Sequence, residues 1–158
     1  MLSGAPFKRC SRTGRVRDRA GEEVKLIGAT RKILQRIASD QDWQDVQIAY
    51  VSRTEHPAWA KSCLKMFYLN EDATLDSLGK HKHIYPGSKA THFRRIQQET
   101  GLDYAEMIFF DNEKWNCRDV EPLGVTCVYT PSGLTEEVWD EGLKQFAERA
   151  SRQQPSRR

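Results

Sequence analysis

No run in this 158-residue chain is apolar and long enough to span a membrane, and residues 1–6 lack the apolar stretch of a signal peptide. A cytoplasmic location is expected. Cysteine is scarce: Cys10, Cys63, Cys117 and Cys127 form no Cys-x-x-Cys pair, and none stands at zinc-ligand spacing with a histidine. Cys63 and Cys127 fall on apolar faces, where buried free thiols are expected, and such usage suits a reducing compartment. A Walker loop is missing, and six residues after Cys10 stands Val16 where a cysteine phosphatase needs arginine. His56, His81, His83 and His92 pair with no serine or cysteine in a nucleophile motif. His83 and His92 are expected to shape or cover a pocket. Internal repeats and low-complexity linkers are absent too.

What is present suffices for one core. Hydrophobic residues make up 38% and charged residues 30%, a balance that fits a single folded domain over residues 1–150. The net charge of +3 is unevenly spread. Lys8, Arg9, Arg12, Arg15, Arg17 and Arg19 crowd the start, and Arg149, Arg152, Arg157 and Arg158 the close. No aromatics interleave with these arginines, so solvated faces are expected and nucleic acid is not. Residues 151–158 read as a basic disordered tail.

Apolar spacing divides the rest into short strands and amphipathic helices. Residues 5–27 read as a loop or β-hairpin turned by Gly14 and Gly21. Thr30 opens a helix with Ile33, Leu34, Ile37 and Ala38 on one face, and Val46 to Val51 form a strand-length apolar run. Trp59, Cys63, Met66 and Phe67 have helical spacing, and a polar stretch from Asn70 to Lys82 leads to an extended piece at His83–Tyr85. A helix from Ser88 or Ala90 turns Phe93 and Ile96 inward and stops at Gly101. Met107–Phe110 and Val125–Tyr129 are two further strands, separated by a helix to Val120 that Pro122 closes. Thr135 begins a last helix with a stripe of Val138, Trp139, Leu143, Phe146 and Ala147. This alternation predicts an α/β fold with a parallel sheet between helices, whose ligands bind beyond the carboxyl ends of the strands.

Three features stand at those ends. Val51-Ser52-Arg53-Thr54 offers hydroxyls and amides to an anion. Tyr85-Pro86-Gly87-Ser88-Lys89 places a lysine at a helix start, where its point charge neutralises a phosphate. Phe109-Phe110-Asp111-Asn112-Glu113 sets a carboxylate directly after a buried strand, with Asn112 and Glu113 adding the hard oxygens that suit magnesium. Singly, each has an ordinary structural reading as helix cap or surface lysine. Together they favour a phosphate-plus-metal site.

The order of Ser52-Arg53, of Tyr85 to Lys89 with Thr91-His92-Phe93, and of Phe109 to Glu113 with Asn116 resembles the magnesium-dependent phosphatase-1 family of the haloacid dehalogenase (HAD) superfamily. Leu123-Gly124-Val125-Thr126 fits as well, and the similarity runs from about Pro6 to Ala147. The resemblance implies a HAD-like Rossmannoid three-layer sandwich with a minimal cap, the hairpin-like segment Phe7 to Ile27. It also implies phosphomonoester hydrolysis through an aspartyl-phosphate, with a sugar phosphate or phosphotyrosine as substrate. By it Ser52 and Arg53 bind the phosphoryl group, Lys89 holds the phosphate and the nucleophile, and Asp111 with Asn112 ligates Mg2+.

The sequence departs from that pattern in one respect above all. The family's first motif is an apolar strand ending in Asp-x-Asp, whereas the one such triplet here, Asp40-Gln41-Asp42, follows a helix and reads as a turn. The first central strand is therefore expected to be missing, as in an N-terminally incomplete phosphatase. The alternative is a catalytically inactive phosphate-binding or protein-interaction module. In either case the two neighbours of the missing central strand leave backbone groups unpaired at about 1–3 kcal/mol each. An insoluble or molten chain is the expected consequence, and a sharp cooperative thermal transition of the purified protein would refute it.

Overall fold

The computed structural model describes residues 2–153. The first strands are β1 (Lys8–Arg9), β2 (Val16–Arg17) and β3 (Glu23–Val24), an antiparallel sheet in that order. The expected hairpin thus has a third strand, and its two reversals carry Gly14 and Gly21 at positive φ, where a side chain would be strained. Helix α1 (Thr30–Ser39) buries Ile33 and Ile37. The residues Asp40 to Asp42 then form the turn expected of them: the Asp40 carboxylate accepts the Asp42 amide at 3.0 Å and opens one turn of 3-10 helix.

Strand β4 (Ile48–Ser52), helices α2 (Pro57–Met66) and α3 (Leu75–Leu78), and strand β5 (Gly79–Ile84) follow. Helix α4 (Lys89–Thr100), β6 (Ile108–Asp111), α5 (Lys114–Val120), β7 (Thr126–Tyr129) and α6 (Glu136–Gln153) complete the chain. β4 pairs with β5 and β6 with β7, both parallel. Among the described residues no ladder joins the two pairs. α6 runs through Gln153, so the first three residues of the expected tail are helical; residues 154–158 lie outside the described part.

By contact the described residues divide into two compact units, residues 2–26 with 31–86 and residues 27–30 with 87–153. In the first, Val16 of the small sheet and Phe7, just before β1, pack with Phe67, Leu69 and Leu75. Phe7 also meets Trp59 of α2 edge-on, with ring centroids 6.4 Å apart. Burying side chains of this size contributes roughly 1.5–3 kcal/mol each, which ties the short strands to the unit.

In the second unit the period of two along β6 builds layers. Phe109 turns to α4, its ring 5.0 Å from that of Phe93, while Phe110 turns the other way to Trp139 of α6 at 5.3 Å. α6 approaches closely because position 142 is glycine: a Cβ there would stand 2.8 Å from the Phe110 ring and 3.0 Å from Val128. Of the predicted stripe, Trp139 is buried, but Ala147 is exposed.

One expectation fails here. Cys127 is not a free thiol; it is bonded to Cys117, joining β7 to α5. Ten residues separate the two, and only the packing of helix on strand brings them together. Cys10 and Cys63 are free.

Candidate active site

Lys89 is the first residue of α4, held there by its neighbour: the Ser88 hydroxyl caps the helix by accepting the Thr91 amide at 3.2 Å. The side chain is only 4% exposed, and its ammonium lies 3.7 Å from Oδ2 of Asp111 and 5.5 Å from the centre of the Phe109 ring. A lysine rarely tolerates such burial without a partner, and the carboxylate at the end of β6 supplies it.

Asp111 is itself fixed from α5. Asn116, 2% exposed, directs its amide Nδ2 to both carboxylate oxygens of Asp111 at 3.1 Å and to Oε2 of Glu113 at 2.8 Å. The Glu113 amide donates to Oδ1 of Asp111 at 2.8 Å. One amide thus gathers two carboxylates, while its own oxygen, Oδ1, is buried without a hydrogen-bond partner. Asn112 is exposed and makes no side-chain hydrogen bond among the described residues.

The donor set suits magnesium in the form that ion favours. No group of three or more His, Cys, Asp or Glu side chains able to hold a metal occurs among the described residues, so an all-protein cage is excluded there. Magnesium instead takes one or two carboxylates and fills its octahedron with water and phosphate oxygens. Asp111 and Glu113, with the orphaned Asn116 oxygen beside them, meet that need.

Ser52 and Arg53 belong to the first unit. Ser52 ends β4, where its carbonyl accepts the Tyr85 amide at 3.1 Å and its hydroxyl accepts the Thr54 amide at 3.3 Å. Thr54 in turn accepts the His56 amide at 3.0 Å, and α2 begins only at Pro57. Ser52 is therefore not the cap of that helix, and the side chain of Arg53 is exposed. His83 is buried with Nδ1 2.7 Å from the Tyr85 hydroxyl.

The sequence reading names Lys89, Asp111 and Glu113 as candidates but gives Asn116 no task. The signal was there: a residue five places after Asp111 and three after Glu113 lies one turn into the following helix, on the side that faces both.

The acid phosphatase family model matches residues 1–149. Human magnesium-dependent phosphatase 1 is 40% identical over 142 residues, covering 90% of this chain and 74% of that protein. A HAD-like hydrolase superfamily protein of Schizosaccharomyces pombe is 37% identical over 126 residues, covering 77% of the chain and 70% of the relative. Among solved structures, a HAD family enzyme of Bacteroides thetaiotaomicron in complex with magnesium and inorganic phosphate superposes with a TM-score of 0.58 at 14% identity. That match covers 72% of this chain but 57% of the enzyme, and it speaks for the fold. Among the described residues no helix is long and apolar enough to cross a membrane. The chain belongs to the acid phosphatase family, the magnesium-dependent phosphatase branch of the HAD superfamily.

Proposed function

We propose that this chain handles phosphomonoesters as a magnesium-dependent phosphatase does, with Lys89 and Asp111 at the centre of its chemistry. The supporting observation is the buried Lys89–Asp111 pair at a strand end, with Asn116 and Glu113 around the carboxylate. Bound there, magnesium would neutralise charge on the phosphoryl oxygens. Asp111 would hold it, with Glu113 beside it; Asn112, exposed, is the weaker candidate. Lys89 places its ammonium where phosphate oxygens arrive, and the exclusion of water around it strengthens that attraction. Ser52 and Arg53 take phosphoryl oxygens by hydrogen bonds, a role resting on their place at a strand end and on the family pattern. A sugar phosphate or a phosphotyrosine protein is the substrate class of this reading.

A second reading has its own support. The one Asp-x-Asp in the chain is a surface turn, so no carboxylate pair of that kind stands at a strand end, and the chain would bind phosphate without turning it over. p-Nitrophenyl phosphate hydrolysis with and without magnesium, beside calorimetric titration with inorganic phosphate, separates the two. Magnesium-dependent hydrolysis lost in Asp111→Asn and Lys89→Met supports the enzyme. Magnesium-dependent phosphate binding alone supports the binding module, and neither activity overturns both. Cytoplasmic residence belongs to the proposal; the Cys117–Cys127 bond opposes it, because reducing compartments keep thiols free. Counting thiols in protein from gently lysed cells decides that point.

A further inference from the structure

The small sheet β1–β2–β3 concentrates charge in a way the rest of the chain does not. Residues 8–25 hold seven of the chain's 25 basic residues and three of its 22 acidic ones, so the other 140 residues carry a slight acidic excess. The whole positive surplus of the protein lies in this one element. Five of the seven, Lys8, Arg9, Arg15, Arg17 and Arg19, line a half-open cavity of about 350 Å³. That volume falls within the roughly 300–1,000 Å³ typical of small-ligand sites.

The arrangement is unfavourable as it stands. Lys8 and Arg17 are directly opposed in the β1–β2 register, and like charges facing one another across a ladder destabilise it. The single carboxylate lining the cavity, Asp18, cannot relieve them. It is 5% exposed, and its two oxygens already accept the amides of Ser3, Ala20 and Glu22. Glu23 is shared between Arg15 at 3.9 Å and Lys25 at 3.7 Å. Arg17 spends a donor on the Gly21 carbonyl at 2.7 Å, which fixes its guanidinium, and Arg9 is held over the Tyr68 ring at 4.4 Å. Lys8 and Arg19 form no ion pair among the described residues. No aromatic ring lines the cavity, so it has nothing on which a nucleobase would stack.

We infer that this cavity binds a compact polyanion bearing two adjacent phosphate-like groups, which guanidinium forks and the Lys8 ammonium embrace from both strands of the β1–β2 hairpin. It shares no residue with Ser52, Arg53, Lys89 or Asp111. The occupant is either a second anionic arm of a phosphorylated substrate or a free anion.

Cys10 provides a reporter inside the cavity. Its thiol is exposed, and hydrogen bonds from the Thr13 hydroxyl and from the Thr13 and Arg12 amides hold its pKa below the ordinary value. Burial pushes the other free thiol, Cys63, up and slows it. Iodoacetamide labelling of the full chain, mapped by mass spectrometry, is measured against rising pyrophosphate, beside calorimetry. Pyrophosphate should bind saturably, slow Cys10 labelling at least fivefold and leave Cys63 unchanged. The double variant Lys8→Gln/Arg19→Gln should weaken binding at least tenfold, with Lys61→Gln/Lys144→Gln, outside the cavity, as the neutral control. Protection that persists in Arg53→Gln separates this site from the phosphate loop. Competition by pyrophosphate against phosphomonoester binding marks a substrate arm; its absence marks a free anion. The inference is overturned by no saturable binding, by equal losses in both double variants, or by an oligoglutamate peptide binding where pyrophosphate does not.

Discussion

The Lys89 cluster and the β1–β3 sheet treat positive charge in opposite ways. Lys89 is almost wholly buried and faces a carboxylate that Asn116 and the Glu113 amide hold in place by hydrogen bonds. The basic residues of the small sheet are exposed and outnumber their carboxylates, and Lys8 stands opposite Arg17 across the ladder. A buried charge is costly to leave alone, so the first region is built as an interlocked unit in which each group needs the next. An exposed charge is cheap, so the second region accumulates it, and its effect is felt by what approaches from solution.

Breaking that contrast should give effects in a definite order. Asp111→Ala leaves the Lys89 ammonium buried and uncompensated, and a loss of about 3–5 kcal/mol is expected in urea unfolding. The double replacement Lys89→Met/Asp111→Leu should recover much of it, and a double variant as unstable as the single one would refute the pairing. Opening the Cys117–Cys127 bond comes next. Reduction should cost about 2–4 kcal/mol, seen as a lower denaturant midpoint with a dithiol present and absent from the Cys117→Ser/Cys127→Ser variant.

Acid sharpens the comparison from the other side. Backbone hydrogen bonds, the Ser3 amide foremost, hold the Asp18 carboxyl below its ordinary value of 3.8. A group depressed by folding adds stability that is present above its unfolded pKa and is lost as pH falls through the folded one. The small sheet should therefore loosen only below about pH 3.8, and Asp18→Asn should flatten that acid limb of the stability curve. The smallest effect is expected at Lys8→Ala, within about 0.5 kcal/mol of wild type in the same unfolding assay, since an exposed cation without a partner holds nothing together. A loss above 1 kcal/mol would mean that Lys8 is structural and that the two regions do not differ in this way.

How far the sequence foretold this depended on whether a feature was local. Strands β4, β6 and β7 announced themselves as apolar runs, and α4 as a helix bounded by Ser88 and by Gly101, whose φ of 69° strains most side chains. β5 was mostly hidden, because Gly79-Lys80-His81-Lys82 lacks the alternation of a half-buried strand; its pairing with β4 imposes the extended form. α3 lay within a stretch that reads as polar, although Thr74 and Ser77 form a reciprocal cap there. In the site, Lys89 and Asp111 follow from strand ends alone. The spacing of Asn116 from Asp111 and Glu113 holds the signal for its bonds to both carboxylates, whereas the meeting of Cys117 with Cys127 depends on how α5 lies against β7, which spacing does not encode.

The two parallel ladders also set a timetable. Ile48 meets Gly79 across 31 positions of chain, whereas Ile108 meets Thr126 across 18. Closing the longer loop costs about 0.5 kcal/mol more in chain entropy before any pairing rewards it. The part of the chain that leaves the ribosome first thus carries the ladder that closes later, and β4 must wait, unpaired, until residues far downstream have been synthesised. Pulse-labelled hydrogen exchange during refolding should find the amides of β6 and β7 protected ahead of those of β4 and β5; the reverse order would show that local packing, and not loop length, governs which half of the protein forms first.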